Sequence, residues 1–156
     1  MKELIIFLVM ITVFVSYVTF IWIKYGVQKS ISDSYYRLPT RKQFLFVFFC
    51  WGFAIPAMIL GNCALMFLAG VFICFVGAAA AFKGDKMTEW VHVVGAYGGV
   101  LLSQLAIWII YDMWYITVLF IVLSGLLYIL KVKNKTWWVE IIAFTFICAV
   151  LLIQIM

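Results

Sequence analysis

From Leu4 to Ile23 the chain runs twenty residues without a charge, and five more predominantly apolar runs follow with almost nothing between them. An α-helix rises 1.5 Å per residue, so about 20 such residues match the ~30 Å hydrocarbon core of a bilayer. Lipid offers no hydrogen bonds to the backbone, which leaves helices and closed barrels as the spanning structures. The pattern predicts an all-α polytopic membrane protein, a compact bundle of six transmembrane helices at about 4–24, 43–60, 63–82, 90–110, 114–131 and 136–155. The 156 residues then make a single transmembrane domain, 1–156, with one sizeable polar connection, a cytoplasmic loop at 25–42. Only 11% of residues are charged, against roughly a quarter in soluble domains, which excludes an ordinary soluble fold.

The first run exceeds a signal-peptide core and ends in Trp22, Lys24 and Tyr25 rather than in small residues, so it reads as a retained helix. Orientation follows from the basic residues. With six spans, one face carries only Lys2, while Lys24, Lys29, Arg37, Arg41, Lys42, Lys83, Lys86, Lys131, Lys133 and Lys135 share the other. The positive-inside rule puts those ten in the cytoplasm and both termini outside. Trp22, Trp90, Trp137 and Trp138 read as the cytoplasmic aromatic belt, and Tyr111, Trp114 and Tyr115 as the outer one. The net charge of +5 therefore belongs to lipid headgroups, not to nucleic acid, because no basic patch alternates with exposed aromatics. Cys50, Cys63, Cys74 and Cys148 lie in or beside the spans without metal-ligand spacing and read as free thiols.

Between the second and third spans stands only "GN", Gly61-Asn62, a tight hairpin that needs a residue tolerant of unusual dihedrals. Pro56 removes a backbone hydrogen bond inside the second span and predicts a kink. Gly70, Cys74, Gly77 and Ala81 share one face of the third span; His92, Gly95 or Ala96, Gly99 and Ser103 share one face of the fourth. Small residues let membrane helices approach closely, so Gly70, Gly77, Gly95 and Gly99 are the candidate packing positions. Packing within the monomer is the expectation, and a small-residue pair such as Gly95–Gly99 also admits an oligomer. The first three spans do not resemble the last three, which counts against an inverted-repeat transporter.

Ionisable groups inside spans are costly and mark functional sites. His92 lies one turn inside the cytoplasmic boundary, Glu140 just beyond "KTWW", and Asp33 in the first cytoplasmic loop. These three are the candidate catalytic residues. Ser30, Ser32, Asp33, Tyr36, Arg37, His92 and Glu140 form the candidate ligand-binding cluster. The alternative is that Glu140 snorkels or pairs with Lys135, and that His92 is an interhelical hydrogen-bond partner. No "GxSxG" elbow or phosphate-cradling glycine loop appears, and one histidine with scattered cysteines is a poor zinc set. Neither a metal nor another cofactor is expected, although Asp33, His92 and Glu140 together would make a minimal metal triad. The loop "SISDSYYRLP" fits a capping box, Ser30-x-x-Asp33, opening a short interfacial helix with tyrosines toward headgroups, ended by Pro39.

Taken in order, "ISD" at Ile31–Asp33, Pro56, and "HVVGA" at His92–Ala96 resemble the DRAM-like six-helix membrane proteins (damage-regulated autophagy modulators and relatives) and related bacterial families. The resemblance spans roughly residues 30 to 100. In that group the "ISD" loop is taken to face away from the cytoplasm, opposite to the charge count here. Alkaline ceramidases and adiponectin-receptor hydrolases match less well, lacking counterparts here for a seventh helix and two further histidines. The chain thus reads as a small multi-pass protein of a bacterial inner (plasma) membrane that binds a lipid or a membrane-protein partner through its cytoplasmic-side polar cluster. Its rivals are a membrane-embedded hydrolase or transferase acting on lipid headgroups, and a small transporter or channel with Ser103 and Gln104 on its pathway.

Overall fold

A computed structural model describes residues 1–80 and 86–156, of which 86–89 by backbone alone. The expected end of the third span, with Ala81, Lys83 and Asp85, lies outside the described residues, as do the side chains of Lys86 and Glu89. Among the described residues six α-helices make up the fold: α1 (Lys2–Tyr25), α2 (Phe44–Gly61), α3 (Ala64–Ala79), α4 (Lys86–Leu105), α5 (Trp114–Ile129) and α6 (Lys135–Ile155). A π turn, Ala106–Ile110, prolongs α4. Among the described residues there is no strand. Four helices are long and apolar enough to cross a membrane: α1, α2 with its leading turn, α4 with its π turn, and α6. The other two are apolar and shorter, at 16 residues each.

Large apolar side chains such as Leu8, Phe48, Ile59, Phe67, Leu119 and Ile129 stand exposed around the outside. A soluble monomer rarely shows apolar surface on that scale, and a lipid-facing surface requires it. Inside, α1 packs on α2, α2 on α3 and α3 on α4, while α5 pairs with α6 and α6 returns against α1 and α2. Where α1, α2 and α6 meet, rings fill the core: Phe144 lies edge-on to Phe53 at 4.6 Å, and Tyr17 stacks on Phe49 at 4.6 Å. Such pairs add roughly 0.5–1.5 kcal/mol each beyond their burial.

The turns place the helices. Asn62 takes the left-handed conformation at the end of α2 (φ 42°), and the Cys63 thiol caps α3 by accepting the Met66 N–H at 3.4 Å. Tyr111, just after the π turn, donates to the Gly61 carbonyl at 2.5 Å and so ties the α4–α5 corner to the α2–α3 hairpin. Burial raises the Tyr111 phenol above its usual range, which keeps it a neutral donor. At Gly95 an added Cβ would meet the Phe72 carbonyl at 3.0 Å, and at Gly99 Ile73 at 3.1 Å, so α4 lies backbone-close on α3. Gly70 and Gly77 make the corresponding approach from α3 to Met58 and Cys50 of α2. All four cysteines are free thiols, Cys50 and Cys148 buried.

Candidate functional site

The polar loop between α1 and α2 is folded down into the bundle end. Ile31, Ser34, Tyr35 and Leu38 are all buried, as is Gln28. Locally the capping reading has a counterpart: the Ser30 hydroxyl accepts the Asp33 N–H at 3.0 Å and shares a hydrogen bond with the Ser32 hydroxyl at 2.9 Å. The turn it opens is a 3-10 helix, Ser32–Tyr36, not an α-helix. Its tighter winding turns Tyr35 inward against Phe46, with ring centroids 5.9 Å apart, so this tyrosine does not face headgroups. Tyr36 stays partly exposed and donates to the Ala80 carbonyl at the end of α3, 3.3 Å away. Arg37 is exposed, and its backbone N–H bonds the Ser34 carbonyl.

Two contacts lock this cap to α1 and α6. Within the cap Ser34 donates to the Ile31 carbonyl, which leaves Tyr17 as donor to Ser34 across 2.6 Å. Glu140 of α6 accepts the Ile31 backbone N–H at 2.5 Å. A third tie comes from the α5–α6 turn, where Asn134, itself left-handed (φ 57°), donates its side-chain amide to the Val27 carbonyl at 2.9 Å. Gln28 closes the exit from α1 by donating to the Tyr25 and Gly26 carbonyls. Each such hydrogen bond contributes about 0.5–1.5 kcal/mol. Burying Ile31 and Leu38 contributes roughly 1.5–3 kcal/mol per side chain. Trp137 is fully buried, and its indole N–H has no hydrogen-bond partner among the described residues.

The sequence cluster is therefore divided. Ser30, Ser32, Asp33, Tyr36, Arg37 and Glu140 belong to one cap. His92 does not join them: its ring bonds the backbone of Val76 on α3, and its Nδ1 has no partner among the described residues. Glu140 holds Ile31 rather than His92, and Lys135 lies over the Tyr128 ring at 4.2 Å rather than beside Glu140. Asp33, His92 and Glu140 do not converge, and no three described His, Cys, Asp or Glu side chains stand close enough to share a metal ion. Sequence reasoning missed Tyr17, Ser34, Gln28 and Asn134, which hold the cap in place. Only Asn134 carried a signal, as a turn residue within "KNK".

The outer surface of this end is cationic. Lys24, Lys29, Arg37, Arg41 and Lys42 are exposed around the cap, and the Asn134 contact brings Lys131 and Lys133 of the α5–α6 turn to the same end. Thus Glu140 points into the fold to hold Ile31, while these seven cations stand exposed at the same end. Comparison with protein-family models, curated proteins and solved structures returns no match.

Proposed function

We propose that the protein is a non-catalytic multi-pass protein of a bacterial plasma membrane that binds anionic lipid headgroups at its capped, cationic end. The observation that carries this reading is the Asn134–Val27 contact, which gathers the cations of the first loop and of the α5–α6 turn around one rigid cap. Seven cations stand exposed there, and juxtamembrane Lys or Arg contributes about 1 kcal/mol each toward anionic membranes. A headgroup hydrolase would need Glu140 free to act on a substrate or on His92; its bond to Ile31 counts against that.

Native mass spectrometry of gently extracted protein, exchanged into mixed lipid, tests the proposal. Phosphatidylglycerol should be retained over phosphatidylcholine, and the preference should shrink as salt rises. Equal retention of both lipids at low salt would reject headgroup binding. Turnover of the lipid would return the hydrolase reading.

A further inference from the structure

Running down α1 from the cap is a shallow open groove of about 680 Å³ between two neighbouring i, i+4 rows of side chains: Val15, Thr19 and Ile23, and Ser16, Phe20 and Lys24. Thr19 and Ser16 are short residues among long ones, and both are exposed. Neither hydroxyl bonds back to its own helix, as Thr145 does to Ile141 at 2.8 Å on α6. An unpaired hydroxyl facing hydrocarbon calls for an acceptor. At the groove's cytoplasmic end stands Lys24, whose ammonium lies 5.9 Å from the Phe20 ring centroid and 5.8 Å from that of Tyr25. Thr19 sits five residues deeper, about 7.5 Å along the helix.

We infer that this groove is a binding site for one anionic phospholipid, with phosphate at Lys24, an ester carbonyl accepting from Thr19, and acyl chain along Val15 and beyond. The order of chemistry along the groove (cation, hydroxyls, then hydrocarbon) is the order found along such a lipid. A second copy of the chain fits worse. Copies in one membrane share an orientation, so a symmetric α1–α1 contact is parallel and would press Lys24 against its counterpart, a like-charge juxtaposition. This inference rests on the reading of the basic end as a lipid-binding face and names one place on it.

Lipid retention by native mass spectrometry, on full-length protein carrying Lys24→Gln or the pair Ser16→Ala and Thr19→Val, tests it. Lys24 is exposed, and nine of the ten basic residues assigned to that face remain, so fold and orientation should be kept. Lys24→Gln should weaken phosphatidylglycerol retention about five- to tenfold, roughly 1–1.4 kcal/mol, and leave phosphatidylcholine unchanged. The hydroxyl pair should weaken both lipids to a similar degree, since both carry the ester. Unchanged retention in Lys24→Gln overturns the groove. If Lys29→Gln with Arg37→Gln alone abolishes the preference, the cationic-end reading stands and the groove falls. If wild-type protein shows no preference, both fall. A rise in dimer on Lys24→Gln, with lipid unaffected, would assign the groove to a second copy.

Discussion

Glu140 was legible as an unusual residue, an acid one turn inside an apolar helix, but its partner was not. The partner is a backbone N–H 109 residues away, and a backbone amide leaves no mark in a sequence. Side-chain pattern alone instead suggests His92, the one imidazole near the same boundary, which the fold turns toward α3. The two arrangements predict different mutational behaviour. Glu140→Ala should lower stability by about 1–3 kcal/mol, because the buried Ile31 N–H is left without its acceptor. Glu140→Gln keeps a carbonyl oxygen in place and should cost less than half as much. Combined with His92→Gln, the losses should add to within about 0.5 kcal/mol, as for residues sharing no partner. Thermal melts in one detergent compare wild type, the three single variants and the double; strong non-additivity would restore the His92–Glu140 pair.

At the scale of elements, hydropathy was sufficient for the helices, because a bilayer-length apolar run has few other solutions. Connections were harder. The Ser30–Asp33 spacing announced a capped turn, yet not that its winding would be 3-10, nor that Tyr35 would go in while Tyr36 stayed at the surface. One residue of rotation decides which tyrosine is buried, and tertiary contacts to Phe46 and Tyr17 set that rotation. The π turn after Leu105 was likewise invisible, since "AIWII" reads as ordinary apolar helix. A folded cap makes a prediction that a solvated turn does not. In a background with Cys50, Cys74 and Cys148 replaced by Ala and Cys63 by Ser, which keeps a capping acceptor, single cysteines report exposure. Maleimide should label Lys29→Cys and Arg37→Cys in purified protein at least tenfold faster than Ser34→Cys. Equal rates at the three positions would mean that the loop does not stay docked.

Over the whole molecule, the decisive asymmetry is ten basic residues against one, assigned by counting spans. The structure adds that seven of them are exposed at the end where the first loop and the α5–α6 turn meet, rather than paired with carboxylates inside the bundle. Charge clustered at one end is what resists translocation, so the orientation expectation turns on where that end lies. It also bears on the lipid reading, because the cations act on whichever leaflet they face. In the same cysteine-free background, Arg41→Cys leaves nine basic residues on that face and should be shielded from a membrane-impermeant maleimide in intact cells. Permeabilisation should expose it, since Arg41 stands exposed on the protein surface. Met156→Cys, exposed at the end of α6, should label in intact cells without permeabilisation. The reverse pattern at both positions would invert the topology and match the orientation usual in the DRAM-like group. Labelling of both from outside would break the six-span count itself, and α3 or α5, the two shorter helices, would be the first to lose its assignment as a span.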